Sequence, residues 1–351
     1  MPTVRKIFRP WIRTIMAVGV EETFPIFGQD EEFSQATMSI RVWVITGCNS
    51  GLGRAIALEA LKRGDKVIGT VRSRSKFPES LREAGVHPIV IDFSDSDDNI
   101  VQAAREAIGL YGNVDVLVNN AAYSIVGPVE ELRVDDIRTN VQVTFFAVVA
   151  FTQPFITHFR KKRAGHILNI STLCAFHPFP SWLAYTSGKA ALDAFTETLA
   201  HELKLFNVRV VSLVPGYFST NIFHGNPNWR DDDKRDEGNP STRTKIYTDF
   251  KTQGYDSVNE LPRLRVSQGR IGDPEKLAMR VYKLVTGTGL LKDLVPENGG
   301  RWEWNRIHMG SDCGEAMQRR LKDLKDNVDA MEEVWRSTDV EPDRLQYFPR
   351  G

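Results

Sequence analysis

The sequence predicts a doubly wound α/β fold: a parallel β-sheet with helices on both faces, forming a single domain with a C-terminal helical extension. Three observations carry this reading. Short apolar runs rich in Val, Ile and Leu recur from residue 42 to residue 214, stretches of helical length separate them, and the first run passes directly into a glycine-rich turn. Strands alternating with helices of that length imply right-handed β-α-β units. Strands that are apolar throughout belong in a sheet covered on both sides.

Taken in order, residues 1–20 carry Arg5, Lys6, Arg9 and Arg13 with no acid, among Ile7, Phe8, Trp11, Ile12 and Ile15; residues 21–37 then carry five acids. This N-terminal extension, 1–37, reads as a disordered tail, as sequence upstream of a true start at Met38, or as a targeting or interfacial anchoring segment. Pro10 interrupts any long helix there. The catalytic domain is expected over 38–290, with strands at 42–46, 67–71, 87–93, 114–118, 166–170 and 208–214 and helices at 52–63, 97–111, 134–159 and 185–206. Residues 217–268 then break the rhythm. The charge run 231–237 suits a solvated face, but Tyr217, Phe218, Phe223, Trp229, Tyr247, Phe250 and Tyr255 suit a lid over an apolar pocket. Asp273-Pro274 starts another helix, as N-cap and first-turn proline. In the extension, 291–351, a stripe of Met317, Leu321, Leu324, Val328, Met331 and Val334 predicts an amphipathic helix over 311–336 that packs on the domain or on a partner.

Composition narrows the function. The chain has 351 residues, 41% hydrophobic and 26% charged, with 45 basic side chains against 45 acidic ones. A neutral protein of this kind is not expected to bind nucleic acid, whose phosphates select basic surfaces. The longest purely apolar stretch, 145–151, is too short to span a bilayer. Cys48, Cys174 and Cys313 form no C-x-x-C pair, so a reducing, cytoplasmic setting without structural zinc is expected. None of the seven histidines has metal-ligand spacing.

The turn Thr46-Gly47-Cys48-Asn49-Ser50-Gly51-Leu52-Gly53 lies between the first strand and the first helix. Glycines there permit a tight turn, a close approach of backbone to a pyrophosphate, and close packing of helix on strand. The helix N-terminus adds free N–H groups. Gly47, Asn49, Ser50, Gly51, Leu52 and Gly53 are therefore the expected phosphate-binding residues. The second strand ends Gly69-Thr70-Val71-Arg72, and residues 66–76 contain no acid. An acid at that end would hold the ribose 2′-hydroxyl of NAD, whereas Arg72 suits a 2′-phosphate, so NADP(H) is the expected cofactor.

Tyr185 and Lys189 stand four residues apart on one face of a helix start. A free phenol, with a pKa near ~10, is a poor acid at neutral pH. A neighbouring ammonium is expected to lower that value and make it a general acid for a carbonyl oxygen. Tyr247 and Lys251 repeat the spacing, but they follow no strand. Tyr185 follows the fifth strand, whose end supplies the hydroxyls of Ser171 and Thr172.

These residues, in this order, resemble the short-chain dehydrogenase/reductase family from Met38 to about Thr286. Its other motifs stand at Asp92, at Asn119-Asn120-Ala121, at Asn140, and at Pro215-Gly216 with Thr220. The glycine pattern resembles the family's compact reductase branch. The Arg72 strand end and the extension resemble fungal carbonyl reductases of secondary metabolism and hydroxysteroid-type dehydrogenases. The resemblance implies Tyr185 as general acid or base and Lys189 as its modulator and a ribose ligand. Asn140 would hold a relay water, Asp92 contact the adenine, Asn119 the adenine-side ribose region and Thr220 the carboxamide. It also implies a homodimer or homotetramer. Two positions depart from the family pattern. Ala122 replaces a usual Gly, and the substrate-orienting hydroxyl falls by spacing on Thr172, with Ser171 beside it as the alternative.

The expected function is NADP(H)-dependent interconversion of a ketone or aldehyde and an alcohol on a bulky apolar small molecule such as a polyketide, terpenoid or steroid. The alternative is a non-catalytic, redox-sensing NADP-binding module on the same fold. Membrane association would have to come through residues 1–20.

Overall fold

The computed structural model describes residues 40–220, 266–290 and 304–340. The N-terminal extension, lid residues 221–265 and the Tyr247/Lys251 pair lie outside them. Seven strands form one sheet in the order β3-β2-β1-β4-β5-β6-β7. They are β1 (Val42–Ile45), β2 (Lys66–Val71), β3 (His87–Val90), β4 (Val116–Asn119), β5 (Gly165–Ile170), β6 (Val208–Pro215) and β7 (Arg306–Met309). Every pairing is parallel. The helices are α1 (Gly51–Lys62), α2 (Glu79–Glu83), α3 (Asp97–Leu110), α4 (Val134–Val141), α5 (Ala147–Lys162), α6 (Leu183–Leu203), α7 (Pro274–Thr286), α8 (Ser311–Ala330) and α9 (Glu332–Arg336).

Alternation along β1 sorts the core into two layers. Trp43 and Ile45 point to one face, where α1 and α7 lie side by side, and the Trp43 ring stacks on Tyr282 at 5.9 Å. Val42 and Val44 point to the other face, against α3 and α5. The predicted doubly wound sheet is thus present. Its outer strand β7 and the short α2 were not read from the sequence, because Arg306-Ile307-His308-Met309 is no continuous apolar run and α2 has only five residues.

The predicted helix 134–159 is a continuous helix, Val134–Lys162, interrupted by a single π-turn over Gln142–Phe146. By length and composition it could cross a membrane. Phe151, Phe155 and Phe159 are nevertheless completely buried in the core, their rings stepping along the helix at 5.4 and 6.1 Å. It is therefore read as a core helix.

The predicted helix 311–336 divides at Met331 into α8 and α9. Asp312, Cys313, Ala316 and Met317 are buried in its first two turns. Leu321, Leu324, Val328, Met331 and Val334 are exposed, Leu321 by 55%. Of the predicted stripe, Met317 alone is buried among the described residues. Periodicity showed the stripe correctly but could not show where the domain surface ends.

Candidate active site

The C-terminal ends of β1, β2, β4, β5 and β6 border a cleft of about 670 Å³. It opens where the strand order reverses between β1 and β4, the place at which open α/β sheets bind ligands.

One end of the cleft is the phosphate loop. Gly47 and Gly51 have φ of +64° and +56°, the left-handed region that glycine enters without strain. A Cβ on Gly47 would lie 2.9 Å from Ala121 Cα, and one on Gly53 would lie 2.5 Å from Asn120 Nδ2 and 2.6 Å from the Gly47 carbonyl oxygen. Hydrogen bonds lace the loop to its neighbours. The backbone N–H groups of Asn120 and Ala121 donate to Thr46 Oγ1 at 2.8 and 2.9 Å. Asn120 Nδ2 donates to the carbonyls of Thr46 and Gly47 at 2.9 and 3.0 Å, and Gly47 N–H donates to Thr70 Oγ1 at 3.2 Å. The start of α1 has neither an acid in its first turn nor a side-chain cap on Ser50, so its backbone donors are left for an anion.

Beyond the loop lie Arg72 and Lys76, with Asp92. Burial would raise the Asp92 carboxyl, but two hydrogen bonds from Ser94, at 2.9 Å and 2.7 Å, and the Arg72 charge hold it below its usual value. It is an anion beside the Arg72 guanidinium.

At the other end, Tyr185 is buried in the first turn of α6 with the Trp182 ring edge-on at 5.7 Å. Thr172 caps the turn after β5, its Oγ1 accepting from Cys174 N–H at 3.3 Å, and its side chain hydrogen-bonds the Tyr185 phenol. Ser171 Oγ is buried and has no hydrogen-bond partner among the described residues. Thr172 is thus the hydroxyl that meets the phenol, and the extended geometry of the strand end turns its neighbour elsewhere. Burial is the largest influence on the phenol and pushes it above its ordinary value; the Cys174 thiol adds to this and the Thr172 bond opposes it. Lys189 donates to the Ile170 carbonyl at 2.6 Å and lies 5.9 Å from the centre of the Tyr185 ring. Burial pushes the ammonium down to about 8, against the pull of Asp193. The expected lowering of the phenol by Lys189 is therefore corrected: among the protein's own groups, desolvation dominates. Burial thus keeps the phenol protonated in the folded protein while making it a weaker acid than a free phenol.

Gly47, Asn49, Ser50, Gly51, Leu52, Arg72, Asp92, Ser171, Thr172, Tyr185, Lys189, Pro215, Gly216 and Thr220 all line the cleft. Thr220 sits over Gly51, 3.5 Å from where a Cβ there would lie. Gly53 packs beneath the loop instead of lining it. Asn119 departs from expectation. Its Nδ2 donates to Thr152 and Asn169 at 3.0 and 2.8 Å inside the core, and Asn120 lines the cleft in its place. Asn140 also lies off the cleft wall; its Nδ2 donates to the Tyr123 carbonyl at 2.8 Å, and its own carbonyl accepts from Thr144 Oγ1 at 2.7 Å. Sequence reasoning passed over Lys76, although it lies in the acid-free segment after β2. It also passed over Leu173, Cys174 and Trp182, which join Phe218, expected in the lid, in an apolar wall around Tyr185 assembled from three separate parts of the chain.

The narrow glycine cradle, the uncapped start of α1 and the two cations beyond it fit a nicotinamide dinucleotide. The loop and α1 would hold the pyrophosphate, and Lys189 would hold the ribose nearest the phenol. Such a cofactor, when bound, supplies or accepts a hydride. The Tyr185 phenol and the Thr172 side chain line that same end of the cleft.

Known proteins are similar to this chain. An oxidoreductase of Botryotinia fuckeliana, BOA17, is 33% identical over 51% of this chain and 66% of its own length. An NADPH-dependent 1-acyldihydroxyacetone phosphate reductase of Schizosaccharomyces pombe is 32% identical over 51% of this chain and 60% of its own length. The chain thus spans less than two thirds of either relative. The crystal structure of a short-chain dehydrogenase from Streptomyces avermitilis superposes with a TM-score of 0.70 at 28% identity, over 87% of this chain and all of that one. The family model for short chain dehydrogenases matches residues 41–231, more than half the chain, from β1 through the glycine loop to Tyr185, Lys189 and the end of β6. By that match the chain belongs to the short-chain dehydrogenase family.

Proposed function

We propose that the protein is an NADP(H)-dependent oxidoreductase that interconverts a ketone or aldehyde and an alcohol on a bulky, largely apolar substrate. The observation that carries this is the composition of a single cleft. Arg72 and Lys76 stand at one end, and the Tyr185–Thr172–Lys189 set stands at the other, walled by Leu173, Trp182 and Phe218. Two cations near the end of β2 suit a phosphorylated ribose. A protonated phenol facing an apolar wall suits proton delivery to a carbonyl that carries a large hydrocarbon group. The Schizosaccharomyces pombe relative is named an NADPH-dependent 1-acyldihydroxyacetone phosphate reductase, which supports an NADP(H)-dependent reductase. We extend the proposal to secondary metabolism from the motif resemblance, and to a cytoplasmic setting from the three free cysteines. A buried Tyr185 bonded to Thr172 favours catalysis over a purely binding role.

The test is the affinity for NADPH and NADH side by side. NADPH is expected to bind at least about tenfold more tightly, about 1.4 kcal/mol, and Arg72→Asp to reverse or erase that preference. Equal affinities, or an unchanged preference in the variant, would remove Arg72 from the cofactor site. Turnover is then read with bulky ketones and NADPH.

A further inference from the structure

Helix α6 places Lys189, Asp193 and Glu197 one turn apart on the same face. Asp193 is only 4% exposed, and a buried carboxylate requires partners. Ser212 of β6 donates its hydroxyl to Asp193 Oδ1 at 2.6 Å. Arg306 of β7 brings Nη2 to 3.7 Å from Asp193 Oδ2 while holding Glu197 at 2.6 Å, with its guanidinium 5.7 Å above the Phe176 ring. His308 of β7 and Cys313 of α8 also feel the Asp193 charge. Asp193 stands one turn after Lys189 on α6, where its charge supports the Lys189 ammonium that donates to the Ile170 carbonyl at 2.6 Å.

We propose that Asp193 is the buried counter-charge that keeps Lys189 cationic, and that Arg306, from the seventh strand, sets how much of that charge Lys189 receives. Asp193 and Arg306 are positioning residues, since neither touches the cleft. The proposal rests on the oxidoreductase reading only in that Lys189 matters to turnover. The charge relation itself is independent of any substrate. It also connects β7 to the chemistry: an edge strand supplies the cation that competes with Lys189 for one carboxylate.

Asp193→Asn keeps the shape and the acceptor for Ser212 but removes the charge, so the Lys189 amine should lose its proton at lower pH. Arg306→Gln removes the competitor and should act in the opposite sense. The direct readout is the pH dependence of Lys189 acetylation by acetic anhydride, followed by peptide mass spectrometry on the folded, cofactor-free chain. Asp193→Asn should shift the midpoint down by about one unit, and Arg306→Gln should shift it up. With an active ketone substrate, the alkaline limb of kcat should move in the same two directions. An unmoved labelling midpoint in folded Asp193→Asn overturns the proposal, as does a shift of both variants in one direction. Should Asp193→Asn fail to fold, Arg306→Gln decides alone, and a midpoint that stays or falls overturns it. If no carbonyl is turned over at all, the oxidoreductase reading fails while the labelling result still decides the charge relation.

Discussion

A single methyl group on the phosphate loop tests the loop geometry from both stability and binding. In Gly53→Ala the new Cβ would stand 2.6 Å from the Gly47 carbonyl oxygen and 2.5 Å from Asn120 Nδ2. Comfortable contacts lie at about 3.5 Å, so these neighbours must part by roughly an ångström. The Asn120 amide could swing away only by giving up its bonds to the Thr46 and Gly47 carbonyls, and the Gly47 oxygen is backbone. Overpacking of this kind costs about 1–3 kcal/mol, which in a domain of this size lowers Tm by about 2–10 °C. The movement also spreads the cradle, so NADPH affinity should fall by at least about tenfold. Gly109→Ala is the control. Gly109 lies in α3 with nothing within 4 Å of its would-be Cβ, and the same substitution there should stabilise by about 0.5–1 kcal/mol. Calorimetry and NADPH fluorescence titration on both variants measure the contrast. A Gly53→Ala protein that melts no lower than wild type and binds NADPH equally well would refute the close approach of α1, Gly47 and Asn120.

Two further outcomes follow from the site and the sheet. Tyr185→Phe deletes the proton donor and its bond to Thr172; turnover should fall by about 10²-fold or more, while Tm and NADPH affinity change little, because one hydrogen bond is worth about 1 kcal/mol net. Turnover within tenfold of wild type would assign the proton to another group. His166 on β5 has its imidazole pushed down to about 4, chiefly by burial and then by the charges of Arg209 and Arg41. The unfolded chain takes up that proton near pH 6.5 and the folded chain only near pH 4, so stability should decline as pH falls between those values, by about 3 kcal/mol in total. Urea unfolding of wild type and His166→Gln at pH 7 and pH 4.5 isolates this part; equal losses in both proteins would show that His166 does not contribute it.

The alternating strands and helices, the glycine cradle after β1 and the Tyr185/Lys189 spacing were legible in the sequence. Each is set by neighbours a few residues apart: apolar periodicity, a turn that needs positive φ, and one helical repeat. The sequence also favoured Tyr185, which follows β5, over Tyr247, which lies outside the described residues. Other features depend on partners distant in the chain. Asn119 and Asn120 are adjacent and alike, yet alternation sends the first into the core toward Thr152 and the second to the carbonyls of the glycine loop, 74 and 73 residues away. Ser171 and Thr172 are told apart only by which hydroxyl reaches the phenol of α6. Asp312, which accepts from Tyr217 N–H at 2.7 Å across 95 residues, and β7, which adds Arg306 to the Asp193 pair, gave no local signal. Local backbone preferences are written in consecutive residues. Which hydroxyl meets the phenol, and whether burial or charge governs a pKa, depends on packing that brings distant segments together and excludes water between them.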